Sequence, residues 1–330
     1  MSFDTPILLI FWKRADLVLQ VIQALRPHAP AKIYLASDGP RSDVEGEAYV
    51  VQHVRSEVEK AIDWPCQIFR RYSDLNQGCR LGPANAISWL FEEEEEAIIL
   101  EDDCVPGEDF LPFCSAMLEH FRGDERIWCI SAANFQRGVW RGEGSYYFSR
   151  YSLTWAWATW RRCWKHVDLD LMSWPSVRDH GGLLNLFENE DERQYWAAIW
   201  ERMYSVAMPV TWDYQWNYAC FINGGLSIVP NVNLVSNIGF GDAGTHCLDA
   251  QHPLANWATE RLKLLHHPYG FLPDRSADRW LFEFIYRDGG QLQKPQPRWR
   301  QVYLEFYYTL SGLAAGLKKR LAHLFCGFGL

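Results

Sequence analysis

The stretch Ala97-Ile98-Ile99-Leu100-Glu101-Asp102-Asp103-Cys104 joins an apolar run to a cluster of acids. Four apolar residues in succession predict a strand buried inside a sheet, and three carboxylates follow it directly. Such acids emerge at the carboxyl edge of the sheet, where open α/β sheets bind their ligands. Because adjacent carboxylates repel one another, a cation or several hydrogen-bond donors must neutralise them. Their hard oxygen atoms suit Mg²⁺ or Mn²⁺. The alternative is an acidic turn that caps the helix expected from about Glu108.

Strand and helix patterns alternate on both sides of this stretch. An apolar run at 6–12 and strand-like segments at 32–37 and 67–72 predict three earlier strands, with helical patterns between them. The alternation predicts an α/β fold with a mostly parallel sheet flanked by helices, and residues 1–125 form its nucleotide-binding half. Within residues 1–125 neither Gly-x-Gly-x-x-Gly nor a phosphate-binding Gly-Lys-Ser/Thr loop occurs, which excludes those two nucleotide-binding motifs from this half.

Aromatic residues mark the next part of the chain, residues 126–250, which we expect to bind the acceptor within the same domain. A helix is expected over about 191–206 and a strand pair around Gly224-Gly225. Residues 251–297 are predicted to be a connecting region. From Phe306 to Phe328 apolar residues recur at steps of three and four, in a segment rich in arginine and lysine, which predicts an amphipathic basic helix over 298–330.

Composition and charge limit the possible partners and compartment. The chain has 330 residues and a formal net charge of −9, and its cations form no long stripe, so we expect no nucleic-acid binding. Nine cysteines without zinc-type spacing indicate free thiols, and the apolar run near Met1 is too short for a secretory signal. We therefore expect a cytoplasmic protein. Its basic last helix would bind anionic lipid at the inner face of the cell membrane, or else pack on the catalytic domain or on a second subunit.

Taken in order, the motifs resemble those of A-type-fold glycosyltransferases, specifically the inverting N-acetylglucosaminyltransferase I group and related bacterial family-2-like enzymes. The motifs are Phe11-Trp12-Lys13-Arg14, Ser37-Asp38-Gly39, Glu101-Asp102-Asp103 followed by Pro106 and Asp109-Phe110, the Trp-rich segment 154–160, Trp212-Asp213 and the glycine-rich stretch from Phe240 through His246. The resemblance implies an A-type glycosyltransferase fold. It also implies a metal-dependent, inverting transfer of a hexosyl or N-acetylhexosaminyl group from a UDP-sugar to a glycan or glycolipid acceptor.

The resemblance also assigns roles at the donor site. Asp103 takes the position of the metal ligand for Mn²⁺ or Mg²⁺, and the late histidine, His246, would complete the metal shell or contact the diphosphate. Asp102 would face the ribose or the sugar, and Glu101 would support the motif. Asp38 resembles the acid that accepts the uracil N3–H, although an ordinary Asp-Gly turn would also explain it.

Five further residues complete the predicted site. Arg14, at the end of the first strand, is placed to contact the nucleotide, and Arg80 could contact base or phosphate, although a helix start explains it equally well. Asp213 matches the position of the base that deprotonates the acceptor hydroxyl. Trp155 and Trp157 could stack on acceptor sugars, although aromatic clusters more often belong to a core.

Two other classes of protein stay open. A sugar nucleotidyltransferase on a similar fold usually carries a glycine-rich loop after its first strand, and residues 11–14 contain no glycine. A non-catalytic carbohydrate-binding protein could use the aromatic residues alone. It would not need the acids at 101–103, and it would bind sugar without metal or nucleotide.

Overall fold

The computed structural model describes residues 3–205, 211–241 and 249–290. All of them belong to one compact unit, which ends at Gly290. The first part of the unit alternates strands and helices as expected. Its elements are β1 (Ile7–Phe11), α1 (Ala15–Leu25), β2 (Lys32–Ser37), α2 (Glu47–Ala61), β3 (Gln67–Tyr72), α3 (Gly78–Glu93) and β4 (Glu96–Glu101).

The second part contains short strands and shorter helices. Its elements are β5 (Cys104–Pro106), α4 (Phe110–His120), β6 (Ile127–Ser131), β7 (Tyr146–Ser149), β8 (Trp157–Trp160), α5 (Arg161–Trp164), α6 (Trp174–Asp179), α7 (Gly182–Leu186), α8 (Glu190–Ser205), α9 (Asp213–Ile222), β9 (Leu226–Pro230), β10 (Val235–Asn237) and α10 (Arg275–Leu281). A 3₁₀ turn at Arg26–His28 follows α1, and a π-helical turn at Phe282–Arg287 follows α10.

One sheet of eight strands organises the unit, in the order β3-β2-β1-β4-β8-β6-β9-β7. The neighbours β3, β2, β1 and β4 are parallel, and β6 and β9 are parallel to each other. Strands β8 and β7 pair antiparallel with their neighbours. The predicted α/β architecture with a mostly parallel sheet is therefore confirmed. A second, two-stranded sheet pairs β10 with β5, directly after the acidic stretch.

The aromatic residues mainly fill the core of the second part. Trp157 and Trp216 have ring centroids 5.2 Å apart, and Trp196 stacks on Trp200 at 5.3 Å. All four side chains are buried. The tryptophan-rich composition is thus explained first by packing, since each ring buries a large apolar area.

The strand pair predicted around Gly224-Gly225 is wrong. The chain reaches these glycines from helix α9 and leaves them into β9. Helix α9 is buried over 215–221, so its sequence shows no polar stripe that would mark it as helical. Gly225 is needed for close packing, because a Cβ atom there would lie 2.4 Å from the Trp128 ring.

The segment predicted to connect the domain to its tail packs, over 251–290, against the rest of the unit. The Asn256 N–H donates to the Asn237 carbonyl at 2.9 Å, and the Asp274 N–H donates to the Phe148 carbonyl at 2.8 Å. Helix α10 begins there, capped by the Asp274 side chain. The predicted amphipathic helix at 298–330 lies outside the described residues. Within the described ranges, no helix combines the length and apolar character needed to cross a membrane.

Candidate functional site

A cavity of about 510 Å³ opens at the carboxyl edge of β1, β2 and β4. Strand β1 lies between β2 and β4, so the chain leaves β1 toward one side of the sheet and later returns on the other. This reversal makes the β1–β4 edge a topological switch point, where open α/β sheets bind ligands. The predicted site residues that line the cavity are Arg14, Asp38, Glu101, Asp102, Asp103, Trp155 and Asp213.

Arg14 neutralises part of the acidic stretch. It follows β1, whose residue Ile10 pairs with Glu101 of β4, so its side chain reaches the acids that follow β4. The guanidinium donates from Nε to Asp102 Oδ2 at 3.2 Å and from Nη2 to Asp103 Oδ2 at 2.9 Å. A second, close contact joins Nη2 to Asp102 Oδ1. The arginine therefore bridges both aspartates.

The site carries more negative charge than Arg14 can balance. Burial, reinforced by the nearby carboxylates of Asp103, Asp102 and Asp213, raises the pKa of Glu101 to about 8. Burial also raises the pKa of Asp102, to about 6, against the opposing effect of Arg14. A cation bound among these carboxylates would favour their ionised forms and relieve the repulsion between them. Their oxygen atoms suit Mg²⁺ or Mn²⁺.

The sequence resemblance assigns Asp103 as the protein ligand to such a cation. In the described part of the chain, no group of three or more acidic, cysteine or histidine side chains forms a metal-binding cluster. A metal held here would thus need further ligands, and Mg²⁺ or Mn²⁺ commonly takes these from water and substrate phosphate. The predicted ligand His246 lies outside the described residues.

The turn after β10 closes tightly over Asp103. The Ile238 N–H donates to the Asp103 carbonyl at 2.8 Å. A Cβ atom on Gly239 would lie 2.1 Å from Asp103 Oδ2, so only glycine fits there without moving the carboxylate. The small β5–β10 sheet therefore holds the proposed metal ligand in place.

Asp213 faces the same cavity from a different element. It is the first residue of α9, and the Thr211 hydroxyl donates a hydrogen bond to its carboxylate. Its charge also contributes to the raised pKa of Glu101, which indicates that the two side chains are near one another. The cavity thus contains a carboxylate that is separate in sequence from the acidic stretch.

Asp38 follows β2, and its carboxylate accepts four hydrogen bonds. Its Oδ1 accepts from the N–H groups of Gly39 and Gln77, each at 2.8 Å. Its Oδ2 accepts from Asn76 Nδ2 and from the Gly78 N–H, each at 3.0 Å. The carboxylate therefore joins the end of β2 to the start of α3.

Two predicted residues lie away from the cavity. Arg80 donates to the Leu169 carbonyl at 2.9 Å and to Asp170 at 2.5 Å, and it is absent from the lining. Trp157 is 1% exposed and stacks on Trp212 with centroids 5.7 Å apart. In this arrangement Arg80 binds protein groups rather than a nucleotide, and the Trp157 ring is enclosed by protein, so neither has the expected access to substrate.

Sequence reasoning missed many lining residues, of which three carry chemically useful side chains. Arg71 lies near the end of β3, is exposed, and its side chain has no hydrogen-bond or ion-pair partner within the described ranges. The strand-end argument used for the acids at 101–103 applies to it as well. His252 and Phe240 stack at 5.1 Å on the opposite wall, and the His252 Nδ1 accepts from the Leu254 N–H at 3.3 Å. No spacing in the sequence distinguishes His252 from the other histidines.

Comparisons with known proteins give matches to structures only. No protein-family model and no curated protein matches the chain. Similar solved structures include the mannosyltransferase PcManGT from Pyrobaculum calidifontis in complex with GDP-Man and Mn²⁺, at 13% identity and a TM-score of 0.33 over 49% of this chain and 46% of that one. The chain thus spans about half the length of that protein.

Two further structures are similar at the same level. Residues 1–349 of S. aureus TarS are 9% identical, with a TM-score of 0.36 over 69% of this chain and 58% of that one. An active-site mutant of LgtC is 13% identical, with a TM-score of 0.36 over 89% of this chain and 99% of that one.

Proposed function

We propose that the protein is a metal-dependent, inverting glycosyltransferase that moves a hexosyl or N-acetylhexosaminyl group from a UDP-sugar to a glycan or glycolipid acceptor. The observation that supports this proposal best is the shared cavity of the acids at 101–103 and Asp213. Its volume, about 510 Å³, lies within the range of small-molecule sites. In this proposal the acids at 101–103 hold a cation and Asp213 acts as the base.

At the donor side, Asp103 would hold the metal, which supplies positive charge to the departing diphosphate. Asp102 and Glu101 also line the cavity. Asp102 would face the ribose or the sugar, and Glu101 would support the motif. Arg14 and Arg71 add fixed positive charge from the ends of β1 and β3. These arginines would contact the phosphates and the nucleotide.

At the acceptor side, Asp213 would take the proton of the acceptor hydroxyl. The hydroxyl oxygen then forms a bond to the anomeric carbon from the face opposite the diphosphate, and the bond between that carbon and the diphosphate oxygen breaks. This direction of attack inverts the anomeric configuration. Trp155 lines the cavity and packs edge-on against Phe240, with centroids 5.9 Å apart, so it is the aromatic residue placed to contact an acceptor sugar.

The deciding experiment is calorimetry of UDP binding with and without Mn²⁺, in the wild type and in Asp103→Ala. We expect Mn²⁺ to strengthen UDP binding in the wild type and to have little effect in Asp103→Ala, which should also lose transfer activity. Asp103 is not part of the apolar core, so the fold should persist.

The matched control is Asp124→Ala, which removes an acid from the turn before β6 that is not part of the cavity lining. It should behave as the wild type. Equal UDP affinity with and without Mn²⁺ in the wild type would reject the metal assignment. Sugar binding without any nucleotide binding would favour the carbohydrate-binding alternative, and pyrophosphate release from a nucleoside triphosphate would favour the nucleotidyltransferase.

A further inference from the structure

We propose that Asp38 is a positioning residue, which holds the loop 76–78 at the start of α3 and does not accept a hydrogen bond from the nucleobase. The inference concerns the same cavity and so rests in part on the proposed function. It replaces the role that the sequence resemblance implies for Asp38, which is to accept the N3–H of uracil.

The hydrogen-bonding capacity of the carboxylate is already used. An ionised carboxylate offers about four acceptor positions on its two oxygens. Each oxygen of Asp38 accepts two hydrogen bonds, at 2.8 Å on Oδ1 and at 3.0 Å on Oδ2. A uracil N3–H could therefore be accepted only if a protein donor were displaced, and that donor would lose its partner in a partly buried site.

Two of the four donors are the N–H groups of Gln77 and Gly78, at the N-terminus of α3. The first N–H groups of a helix have no partner inside the helix, and a negative charge beside them is favourable. Gly78 has a φ of +74°, a conformation that few residues other than glycine adopt easily. The aspartate thus caps a helix whose first residue is held in an unusual conformation.

The turn that carries Asp38 is fixed from the other side as well. A Cβ atom on Gly39 would lie 2.5 Å from the backbone of Leu75, so the two segments are in direct contact. Arg55 Nη2 donates to the Asp38 carbonyl at 3.1 Å and to the Ser73 carbonyl at 2.7 Å. The end of β2 and the loop before α3 therefore form one rigid wall.

This wall is part of the cavity surface. Asn76, Gln77 and Gly78 all line the cavity together with Asp38. When Asp38 is changed, the loop should loosen and the cavity should lose its shape for any nucleotide. A residue that read the base would instead change the preference between bases, because uracil donates at N3 and cytosine accepts there.

The test is Asp38→Asn, with the Kd values of UDP and CDP measured by calorimetry in the presence of Mn²⁺. An asparagine amide offers one acceptor oxygen, so at least two of the four donors lose their partner. We expect both affinities to fall together by about tenfold, with an unchanged ratio between UDP and CDP. Hydrogen exchange at the Gln77 and Gly78 amides should become faster by about tenfold or more.

Asn76→Ala is the second variant, because it removes one donor to Asp38 and leaves the carboxylate in place. It should weaken UDP and CDP equally and by less than Asp38→Asn does. A ratio that shifts toward CDP in Asp38→Asn, with wild-type exchange at Gln77 and Gly78, would overturn the inference. Failure of the wild type to bind UDP or CDP would reject the proposed donor class. The exchange rates would then still decide the role of Asp38.

Discussion

Arg14 bridges two acids of the site and could also contact a bound diphosphate. Its guanidinium donates to both Asp102 and Asp103, so it occupies carboxylate oxygens that a divalent cation would also use. A bidentate guanidinium is a close geometric match for a carboxylate. The site is therefore held together by an internal cation, and a metal that bound Asp103 through Oδ2 would compete with the Arg14 contact. The released guanidinium would remain in the cavity, where a diphosphate is its natural partner.

The proposed role of Asp213 as the base can be tested by replacing one carboxylate oxygen with an amide nitrogen. Asp213→Asn keeps the size of the side chain but removes its ability to take a proton, and general-base catalysis contributes about 10²–10⁴-fold. We expect transfer to slow by about that factor, in kcat and kcat/KM together, since the interaction is made mainly in the transition state. Donor binding should barely change, because the base faces the acceptor hydroxyl. Rapid-quench kinetics and UDP calorimetry measure the two effects.

The stereochemistry of the product provides an independent check on Asp213. Attack from the face opposite the diphosphate inverts the anomeric carbon, so an α-linked donor should give a β-linked product. An NMR spectrum that shows α-linked product from such a donor would remove the assigned role from Asp213, even if Asp213→Asn were inactive.

At the residue level, the sequence correctly predicted which residues lie at the cavity where these residues directly follow a strand, because the order of strands then determines their position. Arg14, Asp38 and the acids at 101–103 follow parallel strands, whose carboxyl ends must share one edge. Trp155 and Trp157 could not be separated in this way, because residues two apart in a strand would share a face. Between them, Ala156 adopts a φ of +49°, which breaks the strand geometry and leaves only Trp155 at the cavity.

At the level of elements, the same contrast separates the two parts of the unit. Helices α1 and α2 are amphipathic, and strands β1 and β4 are short apolar runs. Both patterns can be recognised in the sequence. Helix α9 is buried on all sides and carries alternating aromatic residues, which resembles a strand pattern. The secondary structure of the second part therefore depends on tertiary packing and could not be predicted from local sequence patterns.

The turn after β10 offers an element-level test of the metal position. In Gly239→Ala the new methyl group would overlap Asp103 Oδ2, so the carboxylate must move. We expect the Mn²⁺-dependent gain in UDP affinity to fall by about tenfold or more, because a ligand displaced by about 1 Å loses much of its catalytic or binding effect. Isothermal calorimetry with UDP at fixed Mn²⁺ measures this change.

Gly82→Ala is the matched control for Gly239→Ala. Gly82 also lines the cavity, but a Cβ atom there would lie 3.5 Å from Asp38 Oδ2, an ordinary contact distance. Alanine is also the better helix former within α3. Wild-type Mn²⁺ dependence in Gly239→Ala would mean that Asp103 does not hold the metal in the conformation described here.

At the scale of the whole molecule, charge is unevenly distributed along the sequence. The chain has a formal net charge of −9, whereas its last segment combines apolar residues at helical spacing with the basic run Lys318-Lys319-Arg320. That segment lies outside the described residues, so its role stays a prediction from the sequence. We propose that it brings the catalytic unit to an anionic membrane surface, where a glycolipid acceptor would be found.

The membrane prediction is tested in the full chain by changing Lys318, Lys319 and Arg320 together to glutamine. Each basic residue near an anionic surface contributes about 1 kcal/mol, so affinity for vesicles that contain phosphatidylserine should fall by about 100-fold at low salt. Sedimentation with such vesicles measures the bound fraction. Donor hydrolysis should stay at the wild-type rate, because the proposed catalytic residues all precede residue 291 and none is altered.

A second triple variant shows whether net charge alone explains the loss. Changing the exposed residues Lys60, Lys165 and Lys263 to glutamine removes the same three charges from the compact unit. If the last segment is the binding element, this variant should sediment nearly as the wild type does, because its lysines are scattered and lack an adjoining apolar helical face. Added salt should lower vesicle binding of the wild type toward that of the tail variant, because it screens attraction beyond about a Debye length.

Equal sedimentation of the two triple variants would contradict a membrane-binding tail. The remaining alternatives for that segment would then be packing on the catalytic unit or contact with a second subunit.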